Sequence, residues 1–302
     1  MPAGLIKQPS EIAPASNDLT LRSAREEIEL SGVPFLPLIA DDELVAVLRQ
    51  ASNEMLEPLV EYICKKGRPT SRLEQTLKYR KYTPNHRMYA DEIAAEIQRY
   101  GANDIASFIR GGKGVRYSEI VKDVAKRCGV KSWPRKTEKL EKEIVQKILC
   151  DAYEKMPPEQ QVDILRSLRI RNATGASGPL SLVAFHAAVN AAGFSAYQFT
   201  VIVANGMAQA ILGHGLGFAT NWILVKSVFL LSGPPGLALA GVLTANMVAG
   251  PAYRVTIPCV VQVTLIREQL RIRRRRRLAQ LFAGFLVCAA LALLAYYLSP
   301  KR

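Results

Sequence analysis

The histidines are the first residues to examine for chemistry, because imidazole is a common acid–base group and metal ligand. His86, His186 and His214 are far apart in the sequence, and none is paired with Cys, Asp or Glu at a metal spacing such as HExxH. No serine occupies a GxSxG elbow. These patterns predict no catalytic residue, no metal site and no cofactor. His214 stays a candidate because glycines flank it, with a satisfied core histidine as the alternative.

Arg254 is an isolated charge in an apolar stretch, directly after Tyr253. A guanidinium in such surroundings needs a partner, either helix C-terminal carbonyls or a carboxylate from the N-terminal half. Contact with a ligand or with a lipid phosphate is the alternative. Tyr253 and Arg254 are therefore kept as candidate site residues.

A run of arginines precedes a long apolar segment near the end of the chain. The run consists of Arg273, Arg274, Arg275, Arg276 and Arg277. The segment from Leu278 to Ser299 has no charged residue, and about 20 apolar residues span a bilayer core of ~30 Å. We predict a transmembrane tail anchor at 278–299 with the arginines on the cytoplasmic side. A buried C-terminal helix is the alternative.

The formal net charge of +14 divides unevenly along the chain. Residues 1–171 hold 29 Lys/Arg and 25 Asp/Glu, whereas residues 172–302 hold 11 Lys/Arg and 1 Asp/Glu. Most of the excess therefore belongs to the arginine run and its neighbours. Such a segment beside a membrane span predicts contact with anionic lipid, and we do not expect nucleic-acid binding.

The five cysteines are widely spaced and form no CxxC, which is typical of a reducing compartment. Met1 to Leu30 contains charged residues throughout and no apolar signal-peptide core. We therefore expect the body of the protein in the cytoplasm.

The remaining chain predicts an all-α protein in successive parts. Residues 1–38 are proline-rich and predicted to be a mobile arm. Residues 39–171 form a charged helical domain, with helices expected to begin at Asp41–Asp42 and Ser52 and to cover 118–127 and 137–156.

The composition changes at Arg171. From Asn172 to Tyr253 the only charged residue is Lys226, and glycines and alanines are frequent. Small residues let helices approach closely. We predict a glycine-rich hydrophobic helical domain over 172–272, either packed as a soluble unit or inserted in the membrane, and then the arginine cluster and anchor over 273–302.

Several motifs resemble the YaaW-like family, a bacterial group of uncharacterised proteins. The most specific is Gly250 to Pro258, which reads GPAYRVTIP, and Gly213 to Leu216 looks like the family's GHGL. Supporting matches are Gly233–Gly236 with Gly241, Gly101–Ala106, Tyr117–Val124 and Asp41–Leu48. The resemblance covers roughly 40 to 270. It implies a helical protein, and part of the family is described as similar to ubiquinol–cytochrome c chaperones.

The leading interpretation is a non-enzymatic, membrane-anchored interaction or assembly factor with chaperone-like character. One alternative is a membrane-active protein whose glycine-rich helices insert or form a pore. Another is an enzyme with a site that no motif reveals. A protein partner or self-association is expected, at the cytoplasmic face of the bacterial inner membrane.

Overall fold

A computed structural model describes the helical body of the chain and its long C-terminal helix. The described residues are 36–66, 71–102, 114–131, 136–159, 161–162 and 252–298, with single positions at 183, 185, 187, 200, 201, 204 and 207. Side chains of the last helix are described as far as 289 and at 291. Residues 1–35 of the predicted arm (1–38) lie outside these residues, as do most of residues 172–251 of the predicted glycine-rich domain (172–272).

One helix, Tyr253–Leu298, is the centre around which the other helices pack. Its twelve residues from Val255 to Ile266 are buried without interruption, on every side of the helix. A helix that is apolar all round belongs in a core. Two of its polar side chains donate hydrogen bonds: Thr264 to the carbonyl of Val260 at 2.7 Å, and the amide nitrogen of Gln262 to the carbonyl of Met55 at 2.9 Å. The amide oxygen of Gln262 has no hydrogen-bond partner among the described residues.

Among the residues that the structure describes, six shorter helices precede the central helix, which we call α7, and most of them contact it. They are α1 (Glu43–Leu48), α2 (Asn53–Glu61, continued by a π-helical turn Tyr62–Lys66), α3 (Leu77–Tyr82), α4 (Ala90–Gly101), α5 (Tyr117–Arg127) and α6 (Thr137–Glu154). Two 3₁₀ turns, Leu73–Gln75 and His86–Tyr89, flank α3. The part of the chain that the structure describes contains no strand, so the predicted all-α class is confirmed.

A buried aspartate joins three of these helices. Asp42 caps α1 by accepting a hydrogen bond from the backbone N–H of Leu44. Its second oxygen accepts from Gln98 Nε2 of α4 at 3.0 Å and from the backbone N–H of Tyr117, the first residue of α5, at 2.7 Å. Helix N-termini leave N–H groups without intrahelical partners. One carboxylate therefore satisfies donors of α1 and α5 together and holds α4 beside them.

The predicted helix starts agree with these boundaries. The acidic start at Asp41–Asp42, the helix after Ser52, the helix at 118–127 and the helix at 137–156 are each present within a few residues. Helix α7 runs without a break through residue 272, where the sequence suggested a domain boundary, and the division into domains stays a prediction.

The outer part of α7 leaves the body of the protein. Residues 273–288 are all exposed, in contrast to the buried run before them. Among the residues described, no helix has both the length and the apolar character that a membrane crossing requires. The expected transmembrane helix at 278–299 gains no support there and stays a prediction.

Gly101, the last residue of α4, lies where α4 and α5 approach most closely. A Cβ at this position would be 2.4 Å from Ile120 Cγ1 and 2.7 Å from Ile120 Cδ1. Ile120 is buried in the core and has little room to move. Glycine therefore ends the helix and also permits the contact.

We expect Gly101→Ala to lower the free energy of unfolding by roughly 1–3 kcal/mol, because the added methyl overpacks the interface. Urea unfolding followed by circular dichroism measures this. Gly284→Ala is the matched control, since nothing lies within 4 Å of its Cβ position. Equal stabilities of the two variants would show that the interface adapts without cost.

Candidate functional site at the neck of the central helix

The point where α7 leaves the body is surrounded by charged side chains. We call this region the neck: residues 267–273 of α7 together with the first turns of α1 and α2 and the first two turns of α6. Its central contact is a bidentate salt bridge between Arg267 and Glu141 of α6. Arg267 Nε is 3.0 Å from Glu141 Oε2, and Arg267 Nη2 is 3.3 Å from Glu141 Oε1. The Glu141 side chain is only 1% exposed and that of Arg267 12%.

Further carboxylates complete the neck. Arg267 also reaches Glu43 and Glu138, each at 3.4 Å, and Arg271 reaches Glu138 at 2.7 Å. Glu43 and Glu138 lie in the first turns of α1 and α6. An acidic residue in the first turn interacts favourably with the positive end of the helix dipole. The same two glutamates thus stabilise their own helices and bind the arginines of α7.

The acidic residue of α7 itself belongs to this network. Glu268 is buried, and it pairs with Arg271 one turn later and with Lys142 Nζ of α6 at 2.9 Å. On the other side of the neck, the pKa of Glu54 in the first turn of α2 is lowered, mainly by a hydrogen bond from Ser52 and more weakly by Arg273. The neck therefore ties α7 to α6 on one side and faces α2 on the other.

Burial raises the pKa of Glu141 from 4.5 to about 7, although the positive charge of Arg267 opposes the shift. Tyr117 lies beside this carboxylate, and burial raises the pKa of its hydroxyl well above the ordinary value. The Tyr117 hydroxyl makes no hydrogen bond of good geometry with a described residue. A carboxyl group that titrates near neutrality is a common feature of functional sites. Here Arg267 binds both oxygens of the Glu141 carboxylate, so in this geometry Glu141 serves to position α7.

A second polar feature is a cleft of about 470 Å³ on the body. It is lined by Arg49, Lys78, Asn85, Arg87, Met88, Ala90 and Asp91. Arg49 forms a two-point pair with Asp91, with both N–O distances at 2.8 Å, and Lys78 pairs with Glu92 at 2.7 Å. Met88 is 48% exposed. The cleft thus combines paired charges with an accessible apolar side chain.

His86 is buried next to this cleft, and its imidazole forms a hydrogen bond within the fold. Its Nδ1 shares a hydrogen bond with the hydroxyl of Tyr89, which is also 3.2 Å from Thr83 Oγ1. Burial lowers the pKa of His86. The described residues hold no group of His, Cys, Asp and Glu side chains that could bind a metal ion.

The structure brings the sequence candidates together only in part. Tyr253 and Arg254 begin α7, where Tyr253 is half-buried against the core and Arg254 is exposed. Arg273–Arg277 are all exposed. His214 and His186 lie outside the described residues. The expected partner of Arg254 was either helix C-terminal carbonyls or a carboxylate from the N-terminal half. Among the described residues of this helix, Arg267 and Arg271 are the arginines that pair with such carboxylates.

The amphipathic spacing of 137–156 predicts that Glu141 lies on the solvated face with its lysine and glutamate neighbours, whereas the structure buries it. A signal for its burial exists in the helical spacing. Glu141 stands four and seven residues before Val145 and Ile148, which are buried, so it shares their face. For Arg267, the signal in the sequence is that it directly follows twelve uncharged and mainly apolar residues, 255–266.

The fold and the neck define an all-α protein in which helices surround one central helix that continues outward as an exposed basic and apolar segment. Comparison with known proteins gives the family. The chain is 39% identical over 201 residues to a UPF0174 protein of Helicobacter pylori strain J99, covering 66% of this chain and 79% of the relative. A second UPF0174 protein of that strain is 32% identical over 204 residues, 66% of this chain and 97% of the relative.

UPF0174 protein YaaW of Escherichia coli K12 is 28% identical over 239 residues, which cover 76% of this chain and 95% of the relative. The chain belongs to the UPF0174 family. This confirms the resemblance to a YaaW-like family. No family model matches the chain. No solved structure matches it.

We expect Arg267→Met to lower the free energy of unfolding by roughly 3–5 kcal/mol, because it leaves the buried Glu141 carboxylate unpaired. Adding Glu141→Leu should restore most of the loss, since the second substitution removes the stranded charge. Arg116→Met is the control, because its partner Asp41 is exposed and solvent screens the pair, so the loss should be much smaller. Equal losses for Arg267→Met and Arg116→Met in urea unfolding would contradict the assignment.

The pKa of Glu141 predicts a specific pH dependence. Between 4.5 and about 7 the folded chain holds a proton that the unfolded chain has released. The stabilisation from this group is therefore complete below 4.5 and is lost as the pH rises through about 7.

We expect the free energy of unfolding of the wild type, minus that of Glu141→Gln, to fall as the pH rises from about 5 to about 8. Urea unfolding at several pH values measures this difference and cancels the titration of groups common to both proteins. A difference that stays constant over this range would refute the raised pKa.

Proposed function

We propose that this protein is a membrane-attached helical interaction or assembly factor without enzymatic activity. The outer part of α7 inserts into the membrane, and the helical body is held at its cytoplasmic face. The body then offers its charged surface to a protein partner. This is a proposal for a member of the UPF0174 family, and it joins the fold with the charge pattern of α7.

The observation that carries the proposal is the exposure of large apolar side chains on α7 beyond the neck. Seven are more than half exposed: Leu278, Leu281, Phe282, Phe285, Leu286, Val287 and Leu291. A contiguous exposed apolar surface marks a protein–protein or membrane interaction site. In the sequence the apolar segment continues without a charge to Ser299, and about 20 residues match a bilayer core of ~30 Å.

The arginines before this segment support the orientation. Basic residues concentrate on the cytoplasmic side of membrane helices. Arg273–Arg277 stand between the body and the apolar segment, so the same rule assigns the body to the cytoplasm.

A binding role for the body is supported by how its charged groups are used. The buried Glu141 is held by Arg267 of another helix. The buried Glu96 is held by Arg99 of its own helix and also accepts a hydrogen bond from the backbone N–H of Arg72 at 2.8 Å. An open polar feature of the described residues is the cleft beside Met88, whose mixed charged and apolar lining suits contact with a protein surface.

We expect the full chain to sediment with membranes and to stay there in high salt, and a chain without residues 278–302 to become soluble. Salt screens the arginine contacts but does not weaken apolar insertion. Cell fractionation followed by carbonate and salt washes measures this. A full-length chain with Leu281→Asp and Phe285→Asp is the matched control, and it should also leave the membrane.

Recovery of the full chain in the soluble fraction would overturn membrane attachment. Retention of the shortened chain on membranes, resistant to salt, would instead locate the attachment elsewhere in the molecule. The folded state of each variant is checked by circular dichroism.

A further inference from the structure

The arginines of α7 fall into two groups according to their contacts. Arg267 and Arg271 are bound by carboxylates of the neck, and Arg273 faces Glu54. The next four, Arg274–Arg277, are exposed and make no ion pair with a described residue. The neck therefore uses the charges nearest the body and leaves these four available to an outside partner.

The four available arginines surround the helix. Consecutive helical residues are rotated by about 100°, so four in a row point to all sides of α7. An amphipathic helix that lies on a membrane surface carries its basic residues along one face. The arrangement in α7 is instead a collar, and we use this name for Arg274–Arg277.

The apolar segment has the same all-round character. The exposed apolar residues Leu278, Phe282 and Leu286 lie toward one side of the helix, whereas Val287 and Leu291 lie toward the opposite side. A helix that is apolar on all sides has no polar face to turn toward water. Such a helix is stable when lipid surrounds it on every side. If it lay flat on the membrane surface, one apolar face would be exposed to water.

From these observations we propose that the collar binds the phosphate groups of anionic phospholipids around a helix that crosses the bilayer perpendicular to its surface. This proposal rests on the membrane attachment proposed above and adds the chemical partner and the orientation. Guanidinium groups bind phosphate oxygens at two points, and in the collar they can do so on every side of the helix. Because α7 is continuous from the core to the apolar segment, the lipid contact also holds the body upright over the membrane.

The first test replaces all four collar arginines by glutamine in the full chain. Flotation is measured with vesicles of neutral phosphatidylcholine and with vesicles that contain phosphatidylglycerol. We expect the wild type to prefer the anionic vesicles, by roughly fivefold for each arginine. The collar variant should lose this preference and still bind neutral vesicles as the wild type does.

A matched control removes the same number of charges from the body: Lys122, Lys126, Lys131 and Lys139, all exposed, are replaced by glutamine. It should keep the preference for anionic vesicles. An unchanged preference in the collar variant overturns the collar proposal while the attachment survives. Failure of the wild type to float with either vesicle overturns the attachment itself. Displacement of the wild type from anionic vesicles by a short DNA duplex, at equal phosphate concentration, would favour nucleic acid and overturn the lipid assignment.

The second test measures depth at Cys288, which is the exposed cysteine of the described residues, the other four being buried. It stands eleven residues after Arg277, and eleven residues span about 16 Å of helix. A crossing helix therefore places it near the middle of a core of ~30 Å. An environment-sensitive dye on Cys288 should be quenched more by lipids with a spin label deep in the acyl chain than by lipids labelled near the headgroup. Stronger quenching by the shallow label would mean a helix that lies along the surface, and would overturn the crossing orientation.

Discussion

The buried pair between Glu141 and Arg267 is the contact on which the position of the central helix depends. Two charges removed from water are costly unless they meet with good geometry, and here both oxygens of one group are bound by the other. A shift of α7 by one residue would move Arg267 by about 1.5 Å along the axis and 100° around it. The pair would then be lost, whereas the apolar contacts of α7 could adapt to such a shift. The pair therefore sets how far α7 extends before its arginines and apolar residues begin.

The rest of the body is arranged so that this pair can form. Asp42 holds the starts of α1 and α5 together, and this brings Tyr117 of α5 beside Glu141 and Glu43 of α1 beside Arg267. Gly101 lets α4 approach α5 closely. Each contact is made by a polar or small residue at a helix end, where backbone groups need partners and helices meet. The apolar core supplies the larger share of stability, and these few contacts select one arrangement of the helices.

A single helix thus serves as core, neck and projection in a member of the UPF0174 family. This continuity has a mechanical consequence for the function proposed above. A flexible linker would let the body turn freely relative to a bound membrane, but a continuous helix transmits the orientation of its outer end to the body. The cleft beside Met88 would then face a partner at a defined height and angle. An assembly factor that positions one protein relative to a membrane needs this kind of rigid connection.

The sequence by itself determined the helical class, the starts of most described helices and the arginine-then-apolar order of the chain's end, because capping residues, apolar spacing and charge runs are local features. The motif GPAYRVTIP also indicated the family, and the similarity to UPF0174 proteins confirmed that family. Only the tertiary structure decided that Arg267, rather than Arg254, meets the carboxylates of the N-terminal half. Arg267 is 126 positions from Glu141 in the chain, and a single sequence records no pairing over that distance. The tertiary structure also decided that Glu141 is buried. Its neighbours in the sequence are charged residues too, and the side chain of Arg267 that covers it comes from α7.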